Sequence, residues 1–475
     1  MRERFEGDLP RRVAGSALTL AGRSALISVL GAGTTAIVAR LLGVGSFGEL
    51  SSALAAYALA LAATDFGFSL VLGRELAVDP AGRGRLWRAN CQVQGMWGGL
   101  LGVALLAMGL WAGLDSARGQ ALVVLALLPA LGGLGAGRQV FLVLYRTREL
   151  AAIDLAANVA QAALVITVAA LGGGVFAVVA AMAAASAANA LLVGRAARRM
   201  LDPGRPAAAD RRALIRRALP LGLVSVIASA YFTIDLALLG WLVPSSELGQ
   251  YAAACKILSI LVLLPALVLT AALPGLAATA ADRARLGELA ARLGHWLAAV
   301  GLPLCVGTAV FADPLVQLLF GSTYADAVPL VRILSLAGAV ALLSNAVGTI
   351  LVAQSRAWPM LAQNAAALAL NVVGNVLLVP RHGVVASAWI TVATELVVCV
   401  GGLFLLRGRL RLGRGLSAIG RSALAALGFG ATGWLLASWP ALALPSAAAV
   451  LVLLLYLLRA WPSELWPARW RAART

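Results

Sequence analysis

Residues 195–217 read RAARRMLDPGRPAAADRRALIRR, the longest hydrophilic segment of a 475-residue chain. Its eight arginines (Arg195, Arg198, Arg199, Arg205, Arg211, Arg212, Arg216 and Arg217) surround an Asp-Pro-Gly-Arg-Pro break from Asp202 to Pro206. Six apolar runs precede this segment and eight follow it. In order they are 13–39, 48–72, 90–112, 119–145, 150–171, 174–194, 217–241, 248–273, 293–312, 327–353, 358–379, 384–406, 417–438 and 442–460. About 20 apolar residues cross the roughly 30 Å of bilayer hydrocarbon. Backbone polar groups find no water there, so spans of this kind are helices. Composition agrees: 61% of residues are hydrophobic, 12% are charged and the mean hydropathy is +0.91. A soluble domain carries about 25% charged residues. The fold class is therefore all-α and polytopic, with about fourteen transmembrane helices.

The basic residues set the orientation. With the N-terminus inside, 31 of the 38 Lys and Arg fall in inner loops and tails, and three (Arg40, Arg118, Arg381) fall outside. The other four (Arg23, Arg138, Lys256, Arg332) lie inside spans or at their edges. This is the positive-inside bias, and it predicts that both termini face the cytoplasm. It also accounts for the net charge of +18 without nucleic acid as a partner, since no soluble domain holds a basic groove. The first span has no small-residue cleavage site after a short apolar core and reads as a retained helix.

The halves on either side of residues 195–217 resemble each other weakly. Ser46-Phe47-Gly48-Glu49-Leu50 follows the first span, and Ser246-Glu247-Leu248-Gly249-Gln250-Tyr251 follows the seventh. Aligning Gly48 with Gly249 gives an offset of 201 residues. Both turns fall outside, so the repeats run in the same direction. Two parallel bundles related about the membrane normal are a known transporter plan, with the substrate path between them. The expected organisation is a first lobe at 1–194, a basic inner linker at 195–216 that partly lies on the membrane surface, a second lobe at 217–406, and two added spans with a tail at 407–475.

Ionisable residues within spans are functional candidates, since each costs about 2.5–3.5 kcal/mol at mid-bilayer unless partnered or hydrated. Arg23, about 15 Å into its span by helical rise, reads either as a cavity cation or as a buried structural one. Asp235 and Lys256 sit at similar distances from the turn of the seventh–eighth hairpin. They read either as a pair hidden from lipid or as a substrate-binding Lys256 with Asp235 changing partner. Asp65 and Arg138 read as a gating or structural ion pair. Glu395 reads as a proton carrier or as a carboxylate held by helix–helix hydrogen bonds. Arg332 and Asp154 lie near enough to span ends to snorkel. Asn364, Asn371 and Asn375 share one helical face, as do Asn158 and Gln161. Such stripes line polar cavities or join helices at about 0.6 kcal/mol per bond.

Other chemistry is not indicated. Gly43-Val44-Gly45-Ser46-Phe47-Gly48 matches GxGxxG but lacks the strand–helix setting of a dinucleotide site. No Walker-type lysine occurs. The four cysteines are far apart, with no CxxC spacing, and read as packing residues. His295 and His382 form no cluster, so no metal site, cofactor or catalytic constellation is expected, and the chain reads as a non-enzyme.

Several stretches carry a resemblance. They are Ala39-Arg40-Leu41-Leu42-Gly43 with Phe47-Gly48; Thr64-Asp65-Phe66-Gly67-Phe68; Gly73-Arg74-Glu75; Asp235-Leu236-Ala237-Leu238-Leu239-Gly240; and Gly249-Gln250-Tyr251-Ala252-Ala253-Ala254 with Leu273-Pro274. Further on come Leu319-Phe320-Gly321 with Tyr324, Ala327 and Leu334, and then Val379-Pro380-Arg381-His382-Gly383-Val384-Val385-Ala386-Ser387-Ala388. Together they resemble the polysaccharide-biosynthesis flippases, exporters of O-antigen and related lipid-linked oligosaccharides. These share a superfamily with multidrug and toxin extrusion (MATE) transporters and the lipid II flippase. The resemblance covers about residues 10–460. It implies a MATE-like fold in the cytoplasmic membrane of a bacterium, undecaprenyl-diphosphate-linked glycan as substrate, and alternating access driven by a proton or sodium gradient. It further implies polysaccharide polymerase or assembly proteins as partners, and Arg23 and Lys256 as the cavity cations facing the diphosphate. A lipid II flippase and a cation-coupled multidrug antiporter are the rival readings within transport. A glycan polymerase or ligase would need a large outer loop, whereas the longest here, around 313–326, has about fourteen residues.

Overall fold

The structure is a computed structural model describing residues 22–460 apart from 25, 203, 281, 355–356, 408–412, 438 and 459. The chain is an all-α, multi-pass membrane protein; no strand occurs among the described residues. The helices are α1 (Gly22–Leu42), α2 (Val44–Asp65), α3 (Phe68–Val78), α4 (Arg83–Ala112), α5 (Ala117–Leu125), α6 (Gly132–Gly135), α7 (Arg138–Val143), α8 (Thr147–Ala170), α9 (Val175–Arg199) and α10 (Ala208–Leu242). They continue with α11 (Ser245–Thr279), α12 (Arg283–Val310), α13 (Ala312–Phe320), α14 (Ala327–Ala353), α15 (Ala357–Leu406), α16 (Gly413–Leu435) and α17 (Pro440–Leu457). Eleven stretches among the described residues are long and apolar enough to cross a bilayer. The longest, Trp358–Leu406, holds the eleventh and twelfth expected spans, which part where Gly383 takes φ +63°. That left-handed value is open to glycine without a Cβ penalty.

Packing follows the logic of lipid as solvent. Small residues fill the interior: Ala39, Ala53, Ala89, Ala121 and Ala253 are wholly buried. Large apolar side chains such as Leu171, Met96 and Phe404 point outward. Without a hydrophobic drive between helices, small residues let backbones approach and make up the attraction by close contact.

The chain divides into two compact units, Met1–Gly249 and Gln250–Thr475. In the first, α10 packs along α2. The starts of α2 and α11 meet reciprocally. A Cβ on Gly48 would overlap the Ser245 carbonyl, and one on Gly249 would overlap the Val44 carbonyl. Val44 and Ser245, like Gly48 and Gly249, are 201 residues apart.

Only residues 200–207 separate α9 from α10, and they are bound to the arginine-rich end of α4. Arg88 donates to the Gly204 carbonyl (2.7 Å) and Arg85 pairs with Asp210, whose carboxylate also accepts from the Ala207 N–H (2.8 Å). Arg217 pairs with Glu75. The hydrophilic segment is thus largely the ends of two helices rather than a free linker.

In the second unit α14 packs between α12 and α15, and α16 packs against α12 and α17. Leu276, Leu286, Leu351 and Leu406 form one of its apolar clusters.

Candidate functional site

Two of the spans in the first unit are broken at the same place. Helix α2 stops at Asp65, Phe66 and Gly67 follow with φ +36° and +72°, and α3 begins at Phe68. The break is held from several sides. The Trp97 indole N–H donates to the Ala63 carbonyl freed by it (2.7 Å). The Phe66 ring lies against Gly222 of α10, where a Cβ would collide with it. The expected fourth span is interrupted too: α5 ends at Leu125, a short 3₁₀ turn covers Pro129–Leu131, and α6 and α7 follow. Its glycines admit close neighbours; a Cβ on Gly133 would meet the Cys91 backbone. Irregular backbone at membrane depth survives where it is buried in protein or lines a polar cavity.

Such a cavity is present. A chamber of about 460 Å³ lies between α2, α4, α8, α9 and the broken fourth span. Its polar lining is Tyr57, Thr64, Asp65, Ser69, Gln94, Arg138, Gln139, Asn158, Gln161, Ser186 and Asn189. Asp65 accepts from the Ser69 hydroxyl and from Gln94 Nε2 (3.4 Å). Gln94 Oε1 and Asn189 Oδ1 are buried without a hydrogen-bond partner among the described residues. Buried acceptors of this kind are satisfied by water or by ligand donors. Asn158 and Gln161, which share a face by spacing, both reach the chamber.

The charge at its edge comes from three residues. Asp154 of α8, whose side chain is 1% exposed, receives Arg23 of α1 on Oδ2 (2.7 Å) and Arg138 of α7 on Oδ1 (2.8 Å). Two expectations are corrected here. Asp154 does not snorkel; it lies two turns into α8, covered by its neighbours, and is the hub of the cluster. Arg138 pairs with Asp154 and not with Asp65, although Asp65 and Arg138 line one chamber. Arg23 is held by the same carboxylate and is not among the lining residues. Of the two guanidinium groups on this carboxylate, it is that of Arg138 that faces the chamber, where the carboxylate of Asp65 is the other charged lining group.

The remaining candidates are not among its lining residues. Asp235 is buried in α10, its carboxylate accepting from the Leu236 N–H (2.8 Å). Lys256, half-buried in α11, falls in the second unit. Glu395 of α15 is buried and accepts from the Ser344 hydroxyl of α14 (2.6 Å), a bond between helices. Asn371 and Asn375 are buried in α15; Asn375 Nδ2 donates to the carbonyl and the Oδ1 of Asn371, a bond within one helix. Asn364 is half-buried on that helix. Among the described residues no group of three or more His, Cys, Asp or Glu is placed to hold a metal ion.

A family described as polysaccharide biosynthesis proteins matches residues 37–329 of this chain. The chain belongs to that family. A curated relative, the teichuronic acid biosynthesis protein TuaB of Bacillus subtilis (strain 168), is 30% identical over 125 residues, which is 26% of either chain. The fold is similar to that of the lipid II flippase MurJ in an inward closed conformation, with a TM-score of 0.72 at 12% identity over 93% of this chain and 99% of that one. It is also similar to an inward-facing multidrug resistance MATE family transporter of the MOP superfamily, with a TM-score of 0.61 at 15% identity over 83% and 94% of the two chains. At these identities the likeness establishes a MATE-like fold.

Proposed function

We propose that this chain translocates undecaprenyl-diphosphate-linked oligosaccharide across the cytoplasmic membrane of a bacterium, by alternating access, for surface polysaccharide assembly. The observation that carries the reading is the Arg23–Asp154–Arg138 cluster, which sets the Arg138 guanidinium in a chamber otherwise lined by amides, hydroxyls and the Asp65 carboxylate. A guanidinium suits a diphosphate because its planar donors match phosphate oxygens in pairs. The unpaired oxygens of Gln94 and Asn189 suit glycan hydroxyls, which donate. Membership in a polysaccharide-biosynthesis family supports the same substrate class, and the names of the two relatives, teichuronic acid biosynthesis and lipid II flippase, agree with it.

In this reading Arg23 holds Asp154, Arg138 meets the substrate, and Lys256 is a second substrate-facing cation. Asp65, Asp235 and Glu395 are the carboxylates available to a proton or sodium ion. Asn364, Asn371 and Asn375 supply a polar helix face, and a polysaccharide polymerase or assembly protein receives the product. A strain lacking its own oligosaccharide flippase tests the reading. Expression of this chain restores surface glycan, and Arg138→Gln inserts into the membrane but restores none. A wild-type chain that supports export of no lipid-linked glycan ends the proposal.

A further inference from the structure

We propose that a second groove of the first unit, lined by Arg74 and Arg83, docks the diphosphate of the lipid-linked glycan before translocation. The proposal rests on the substrate class inferred above and adds a site distinct from the chamber.

The groove has a volume of about 650 Å³ and runs between α3 and the end of α7. Arg74, Arg83, Tyr145 and Gln139 give its polar lining, and Leu70 and Leu142 are part of an apolar wall. No carboxylate lines it, and the neighbouring ones are engaged elsewhere: Glu75 by Arg217, and Asp79 by Arg85 (3.3 Å) and the Gly82 N–H (2.8 Å). Arg83 uses its Nε to hold the Leu76 carbonyl (2.7 Å), which aims the rest of its guanidinium. Arg74 is exposed and makes no hydrogen bond or ion pair among the described residues. Two positive charges thus stand uncompensated beside an apolar wall whose Leu70 is 58% exposed. That combination fits an anion carried on a hydrocarbon tail.

A membrane phosphodiester and a glycan-bearing diphosphate both meet that description. Gln139 decides between them. Its side chain lines the groove and the chamber alike, and it occupies space left by Gly73, where a Cβ would come within 2.9 Å of Gln139 Oε1. One amide therefore separates the cationic groove from a chamber of hydrogen-bonding groups. A phospholipid has no use for such a neighbour. A diphosphate in the groove leaves its glycan beside it.

The test uses the full chain in nanodiscs, with undecaprenyl diphosphate as probe and phosphatidylglycerol as competitor. Arg74→Gln combined with Arg83→Gln weakens probe binding by about tenfold or more, as the loss of charge-assisted hydrogen bonds requires. Because Arg83 also holds Leu76, Arg74→Glu alone gives the same direction of change at a side chain with no partner to lose. Phosphatidylglycerol in equal amount leaves the wild-type affinity unchanged. Wild-type affinity in both groove variants, together with loss of binding in Arg138→Gln, overturns the groove and leaves the flippase reading intact. Displacement by phosphatidylglycerol makes the groove a site for bulk lipid and likewise overturns it. A wild-type chain that binds no undecaprenyl diphosphate overturns the substrate class itself.

Discussion

Asp154 is the residue on which most of the buried charge depends. Removing one member of a buried ion pair costs about 3–5 kcal/mol, mostly because the other charge is left without compensation. Asp154→Ala strands two guanidinium groups, so a drop in detergent melting temperature and in the folded yield is expected. Arg23→Gln leaves Asp154 with Arg138, and a smaller drop follows. The double variant Asp154→Ala with Arg23→Gln recovers part of the loss, which a thermal double-mutant cycle checks. A fully additive cycle would show that the cluster carries no coupling. Hydropathy missed Asp154 because position within an apolar run measures distance along the helix and not what covers it. Arg23 and Arg138 were legible because a cation at that depth needs an explanation whatever its neighbours.

The element scale adds the two helix breaks. Asp65-Phe66-Gly67 carried a visible sign in its glycine, and so did the run Pro129, Gly132, Gly133, Gly135 and Gly137 within the fourth span. Neither was readable as a chamber from sequence, since glycine inside a transmembrane helix also serves close packing. Contact across helices decides between these uses. At Gly67 the φ of +72° is joined by close contact, a Cβ lying 3.0 Å from the Gly222 nitrogen. Gly67→Ala therefore destabilises by at least about 1 kcal/mol and shifts Asp65 relative to Gln94. Export falls while membrane insertion persists; unchanged export and melting temperature would remove the break from the mechanism. In α14 and α15 the bond from Ser344 to Glu395 is the helix–helix hydrogen bond that one reading of Glu395 called for. Glu395→Gln keeps an acceptor for Ser344, so the fold holds. The pH dependence of transport into liposomes flattens if the carboxyl carries the coupling proton, which is the outcome expected; a profile identical to wild type assigns Glu395 to packing alone.

For the whole molecule, the all-α, multi-pass fold class came from an average, apolar run length, that needs no tertiary information. Side-chain partnerships did not, because arginine reaches far enough to choose among several carboxylates on different helices. The placement of arginines makes its own prediction. Arg205 stands exposed between α9 and α10, and Asp115 stands exposed between α4 and α5, on faces that the positive-inside bias assigns to opposite compartments. In a variant lacking the four native cysteines, Arg205→Cys resists an impermeant maleimide in intact cells and reacts once the cells are opened. Asp115→Cys reacts in both. Each arginine in the inner loops contributes separately to this orientation, so neither single substitution can invert it, and the pair reads the native topology. Labelling of Arg205→Cys from outside would reverse every assignment of side, placing the Arg74 and Arg83 groove on the face where the lipid-linked glycan is released.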